Sequence, residues 1–173
     1  GKDSPTAGCE DCSAGRYSET PGSTLCTECD DGEISDKGAT FCDKCVKGTY
    51  LNRDAGDETC QTCSDGYYAS EPGLAKCTKC EAGKKAKGED EDRDSCESCS
   101  QGRYSDKEGL KNTETCPACP NGRYGIFSGA TIQSDCVECA PGKKGKGSGK
   151  SSETSGCEDC SAGRYSETPG STL

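Results

Sequence analysis

Histidine is absent from this 173-residue chain, and Leu, Ile, Val and Phe together supply only 12 residues. Without histidine a Ser-His-Asp arrangement cannot be built from the abundant serines. So little aliphatic and aromatic surface does not fill the core of an ordinary globular domain of this length. No segment approaches 18 consecutive apolar residues, so no membrane contact is expected in this stretch. Asn52, Asn112 and Asn121 are followed by Arg-Asp, Thr-Glu and Gly-Arg, and none of these forms an N-glycosylation acceptor.

Charged residues at 30%, 24 glycines and a net charge of −10 would by themselves describe a disordered chain. Eighteen cysteines overturn that reading. About one residue in ten is at or above the roughly 8–10% that marks a disulfide scaffold, in which cross-links do what burial cannot. Such bonds persist in oxidising compartments, which places the protein outside the cell or at the cell surface. The acidic balance speaks against nucleic acid, since the basic runs Lys84–Lys87 and Lys143–Lys150 are short and the first leads straight into Glu89–Asp94.

The cysteines fall into nine C-x-x-C pairs with none left over, from Cys9/Cys12 to Cys157/Cys160. Three residues after each pair stands a glycine (Gly15, Gly32, Gly48, Gly66, Gly83, Gly102, Gly122, Gly142, Gly163), read as a tight turn with positive φ. Two residues further comes Tyr17, Tyr50, Tyr68, Tyr104, Tyr124 or Tyr165, replaced in the other modules by Ile34, Lys85 and Lys144. Each C-x-x-C-x-x-G-x-Y unit is expected to form a small hairpin, its strand starting at the tyrosine, whose ring can cover a disulfide. In the shortest loops a second glycine (Gly22, Gly38, Gly56, Gly73) is placed to turn the chain back.

A longer period contains the shorter one. Gly156–Leu173 repeats Gly8–Leu25 letter for letter at an offset of 148 residues. Residues 1–148 are therefore expected to be one superrepeat of eight modules, 149–173 the start of the next, and the array is expected to run on past Leu173. The predicted fold is small and disulfide-rich: an elongated ladder of short β-hairpin modules, each touching mainly its neighbours.

The module, clearest in CSAGRYSETPGSTLCTEC at 12–29 and CVKGTYLNRDAGDETCQTC at 45–63, resembles the cysteine-rich repeats of ephrin-receptor-like and tumour-necrosis-factor-receptor-like ectodomains. That resemblance implies a pairing order of Cys12 to Cys26, Cys29 to Cys42, Cys45 to Cys60, Cys63 to Cys77, Cys80 to Cys96, Cys99 to Cys116, Cys119 to Cys136 and Cys139 to Cys157. Cys9 and Cys160 are left for partners outside the stretch. The six-cysteine grouping of the tumour-necrosis-factor receptors is missing here, and ligand recognition does not carry over with it.

Competing chemistries are weaker. C-x2-C pairs at this spacing approach a zinc ribbon, but the uniform chain of pairs and the polar loops give thiolates no shield, and no metal or other cofactor is expected. C-x-x-C as a redox motif needs a helix N-terminus in a βαβ setting. The run Glu89–Asp92 lacks the alternation of a calcium loop and reads as solvated. A thin ladder offers no cleft for a pair of catalytic carboxylates, and no enzyme is expected.

Near-identical superrepeats suit uniform spacing, so the function read here is structural: a subunit of an extracellular filament, fibril or stalk. The alternative is a ligand-binding ectodomain of a receptor or adhesin. Expected partners are neighbouring repeats, other copies of the fibre and covalent glycans. Ser and Thr total 35 residues. O-glycosylation is expected at Thr59, Ser95 and Thr115, which precede a cysteine, and at Ser18, Ser35, Ser105 and Ser166, which follow the aromatic or Ile position. Strand alternation would turn these last four outward.

Overall fold

A computed structural model describes residues 9–56, 58–88 and 93–172. The chain divides into two compact units, Gly1–Cys63 with Ala69–Cys77, and Ser64–Tyr68 with Thr78–Leu173. Both are built from the same part. A two- or three-residue strand ending at or just after the aromatic position pairs antiparallel with the residues inside the next C-x-x-C.

In the first unit these pairs are Arg16–Tyr17 with Thr27–Glu28, Glu33–Ile34 with Asp43–Lys44, and Thr49–Tyr50 with Gln61–Thr62. In the second they are Tyr67–Tyr68 with Thr78–Lys79, Lys84–Ala86 with Cys96–Ser98, Arg123–Tyr124 with Val137–Glu138, and Lys143–Gly145 with Cys157–Asp159. An isolated antiparallel bridge between Arg103 and Ala118 holds the remaining place. The strand thus includes the residue before the tyrosine rather than starting at the tyrosine. The longest described helical segment is one four-residue turn, Glu153–Gly156. This is a small disulfide-rich hairpin ladder.

Register explains an exchange visible in the sequence. Where tyrosine is replaced by Lys85 or Lys144, a glutamate stands directly across, Glu97 or Glu158, and the ammonium reaches it at 2.8 Å and 3.3 Å. Opposite tyrosine stand Thr27, Gln61, Thr78 and Val137. An ion pair on the strand face replaces the ring, an exchange worth a fraction of a kcal/mol either way.

The core is sulfur. Each second cysteine from Cys29 to Cys139 is 3% exposed or less. With them are buried Leu51, Ala69, Ala86 and Ser105, which all follow the aromatic position. This corrects the expected alternation. Ser35 Oγ lies 3.4 Å from Cys29 Sγ, and a Cβ built on Gly125 would lie 3.1 Å from Cys119 Sγ. The residue after the aromatic, not the aromatic alone, therefore sits against its module's disulfide. The strand stops at this residue, whose backbone turns to serve the neighbouring module, so no second face is open to it.

Candidate functional site: the joint between modules

Eight disulfides join Cys12 to Cys26, Cys29 to Cys42, Cys45 to Cys60, Cys63 to Cys77, Cys80 to Cys96, Cys99 to Cys116, Cys119 to Cys136 and Cys139 to Cys157. Their Cα atoms are 5.6 to 5.9 Å apart. Cys9 and Cys160 carry free thiols. The second cysteine of each pair donates its N–H to the carbonyl of the preceding turn glycine, from Cys29 on Gly15 (3.0 Å) to Cys160 on Gly142 (2.9 Å). Each disulfide-closed loop is thereby pinned at both ends.

Three further backbone hydrogen bonds recur between one module and the next. The turn glycine donates to the carbonyl after the next aromatic position, as Gly15 to Ser35 (2.9 Å) and Gly102 to Gly125 (2.9 Å). The residue after the aromatic donates to the carbonyl just beyond the next loop's second glycine, as Ser18 to Ala39 (3.1 Å) and Ser105 to Ala130 (3.0 Å). That second glycine donates back to a cysteine carbonyl, as Gly38 to Cys12 (2.8 Å) and Gly129 to Cys99 (2.8 Å). Because all donors and acceptors are backbone, the loops can vary in side chains and length while the joint stays the same.

Side chains one residue ahead of the turn glycine strengthen the joint, a signal that the sequence reading missed. Asp31 Oδ1 accepts the Arg53 N–H at 2.8 Å, Asn121 Oδ1 the Gly147 N–H at 2.8 Å, and Gln101 Nε2 donates to the Ile126 carbonyl at 2.9 Å. Arg53 was missed as well: its guanidinium donates to the Glu33 carbonyl and lies against Gly15, two modules back.

Contacts also skip a module, which corrects the expectation that modules touch mainly their nearest neighbours. A Cβ on Gly32 would fall on the backbone of Gly73, one on Gly66 on Gly109, on Gly83 on Gly129, on Gly102 on Gly149 and on Gly122 on Gly170. Both glycines of each such contact have φ between +66° and +92°. Asp65 Oδ1 likewise accepts the Asn112 N–H at 2.8 Å, 47 residues on. Glycine here meets two demands at once, a left-handed turn and backbone against backbone.

The hydroxyls named from the sequence separate into classes. Thr59 and Thr115 are exposed. Ser18, Ser35, Ser95 and Ser166 are half-buried, with Ser35 donating to the Arg16 carbonyl at 3.0 Å, Ser95 to Asp94 Oδ1 at 2.7 Å and Ser166 to the Thr168 carbonyl at 3.0 Å. Ser105 is 1% exposed and accepts the Lys107 N–H at 3.3 Å, so its outward placement was wrong: it occupies the buried position against the disulfide. The acidic run Glu89–Asp92 lies outside the described residues. Among the described residues no group of three or more Cys, Asp or Glu is arranged to hold a metal ion, and no helix is long and apolar enough to cross a membrane.

Two titrating groups are shifted by their hydrogen bonds. The Ile132 and Thr131 N–H groups hold the Asp135 carboxyl below the usual carboxylate range. Glu153 first, then Asp159, raise Lys143 above the ordinary lysine value.

No curated protein matches the chain in sequence. Residues 89–136 match the family model described as tyrosine-protein kinase ephrin type A/B receptor-like. That family is a non-enzymatic cysteine-rich repeat module, and the hairpins and disulfides on either side of the matched stretch repeat its pattern. The chain is an array of cysteine-rich, disulfide-bonded tandem modules similar to those of ephrin-receptor-like proteins.

Proposed function

We infer that the chain is a structural segment of an extracellular or cell-surface filament, fibril or stalk, with residues 1–148 as its period. The observation that carries this reading is the backbone joint. Its donors and acceptors recur from module to module, so it adds units without selecting side chains, as a spacer requires. The exact repeat of Gly8–Leu25 at Gly156–Leu173 supports it, because the second copy already carries the surfaces on which a following module docks in the first. In this reading the partners are further repeats of the same chain and other copies of the fibre, and catalysis has no part.

Extending the chain by residues equivalent to 26–48 tests the array. Cys160 should then lose its free thiol, and the Tyr165 ring should become half-buried as Tyr17 is. A Cys160 that still reacts with a thiol reagent in the extended, oxidised chain defeats the reading. Electron microscopy of native material tests the assembly: isolated membrane-bound monomers, with no fibres, would defeat the filament.

In this reading Thr59 and Thr115, which are exposed, are the first candidates for O-glycans, with the half-buried Ser18, Ser35, Ser95 and Ser166 behind them and the buried Ser105 last. Dense sugar would shield an exposed polar backbone that has little apolar surface to bury. Peptides that all appear at unmodified mass would leave a bare protein. The second reading, a ligand-binding ectodomain, is favoured by the receptor-like match over residues 89–136. Ligand capture by the chain in a binding assay would support it over the spacer.

A further inference from the structure

Charge is unevenly distributed along the period, and one hollow lies in the acidic part. Residues 26–41 hold Glu28, Asp30, Asp31, Glu33 and Asp36 against a single lysine, whereas residues 140–151 hold Lys143, Lys144, Lys146 and Lys150 and no carboxylate. In the first unit Tyr17, Glu19, Glu33, Thr40, Phe41 and Cys42 line a hollow of about 600 Å³. Phe41 is 62% exposed there, a large aromatic left uncovered in a chain that has only two phenylalanines. Neither Glu19 nor Glu33 forms an ion pair among the described residues. A space lined by two aromatic residues and two glutamates in no ion pair has the composition that suits an ammonium group, which ring faces and carboxylates both attract.

The basic loop supplies such a group. Lys143 is engaged by Glu153 and Asp159, and Lys144 by Glu158. Lys146 is exposed and in no ion pair among the described residues. It stands between Gly145 and Gly147, with φ of +113° at Gly147 and +70° at Gly149.

We propose that the hollow between Tyr17 and Phe41 binds the Lys146–Gly149 loop of a second copy of this chain, with the Lys146 ammonium between the rings and the Glu19 and Glu33 carboxylates. The contact offsets the mutual repulsion of two chains that each carry −10, and it recurs once in every 148 residues wherever the period repeats. It concerns two copies of the chain as it stands, so it is tested whether or not the array continues.

The probe is the intact chain, with Cys9 and Cys160 alkylated to exclude disulfide-linked dimers. Sedimentation should show self-association that weakens as salt rises. Phe41→Ala should lower the association constant roughly three- to ten-fold, the range for losing one cation–ring contact. Glu19→Gln with Glu33→Gln should abolish association, and so should Lys146→Gln. A mixture of these two variant chains, one keeping the lysine and the other the hollow, should associate although neither does so alone. Because Phe41 is exposed, its removal should leave the disulfides formed, which a thiol count checks. A chain that stays monomeric at every concentration, association indifferent to Phe41, or a mixture that fails to associate overturns the proposal.

Discussion

Eighteen identical residues stand at Gly8–Leu25 and Gly156–Leu173, and the structure gives them different environments. In the first copy Arg16–Tyr17 is a strand paired with Thr27–Glu28, Cys12 is bonded to Cys26, and Tyr17 is half-buried. In the second, Arg164 and Tyr165 are in no strand, Cys160 is a free thiol, and Tyr165 is 82% exposed. The other side of the module is reversed. Cys9 is free in the first copy, whereas Cys157 is bonded to Cys139, and Gly170 donates to the Cys139 carbonyl at 2.8 Å.

Each copy thus displays one half of a complete module, the first with its follower in place and the second with its predecessor. Turn geometry is common to both, with φ of +78° at Gly15 and +81° at Gly163. The turn is local, and the hairpin belongs to the joint. A module therefore owes its strand and its buried tyrosine to the neighbour that closes it, as in other repeat architectures.

Removing the covalent closure should erase the difference between the copies altogether. Sequence separations of 13 to 18 residues put each disulfide near 3 kcal/mol in the chain-entropy model, and there is little apolar burial to replace them. Full reduction should unfold the first copy to the state of a free chain. Protease resistance of Arg16 and its surroundings, measured before and after reduction, checks this; an Arg16 bond that stays protected shows that the backbone joint alone suffices.

Glycine to alanine at matched positions separates turn strain from close contact. Gly163→Ala meets nothing within 4 Å and should cost about 1 kcal/mol for its left-handed turn. Gly15→Ala meets only the movable Arg53 guanidinium and should cost slightly more. Gly32→Ala and Gly122→Ala drive a methyl into the Gly73 and Gly170 backbones, and each should cost about 3 kcal/mol or more. Denaturant midpoints under oxidising conditions would rank the four. Equal losses at Gly163 and Gly122 would mean that the contact across two modules contributes nothing.

The module was legible in the sequence because its determinants are local and repeated: the cysteine pair, the positive-φ glycine and the fixed offset of the aromatic. The second turn glycine was legible for the same reason, and Gly38 and Gly73 do turn the chain back. What the sequence hid depends on residues one or two modules away. Period-2 reasoning sent Ser105 outward, because it treated extended pairing as continuing past Tyr104; this module has only isolated bridges at Arg103 and Tyr104, and the Ser105 N–H serves the neighbouring module. The glycine-to-glycine contacts were hidden because nothing in a 16- to 21-residue period marks which unit stacks on which. Arg53 was hidden because it occurs in only one module.

A middle-sized effect is expected at the residues ahead of the turn glycines. Asp31→Ala and Asn121→Ala each leave a backbone N–H of the following loop, Arg53 or Gly147, without its acceptor, at about 1 kcal/mol apiece. Ala162 is the equivalent residue in the second copy and Ala14 in the first, so neither identical segment has this support to lose. Hydrogen exchange should therefore quicken at Arg53 and Gly147 in the variants, with Gly15 and Gly163 unchanged. Equal quickening at Gly15 and Gly163 would show a general loosening and not a local clamp.

The smallest effect separates the two copies by a charge alone. Arg16 reaches Glu28 at 3.5 Å across the strand pair, with side chains 50% and 62% exposed, while Arg164 has no strand opposite it. An exposed pair of this kind gains little, because water and salt screen it and two long side chains lose freedom in forming it. Arg16→Gln should cost no more than about 0.5 kcal/mol, and that loss should vanish in high salt. Arg164→Gln should cost nothing at any salt. The same register holds Arg123 against Glu138 with side chains only 29% and 42% exposed, so Arg123→Gln should cost more than Arg16→Gln and depend less on salt. Arg123 also donates to the Cys136 carbonyl at 3.1 Å, a bond that glutamine is too short to restore. Denaturant midpoints at two ionic strengths would order the three arginines. If Arg16 and Arg123 respond alike, cross-strand charge is a surface decoration throughout, and the backbone joint with its disulfides accounts for the whole difference between a closed module and an open one.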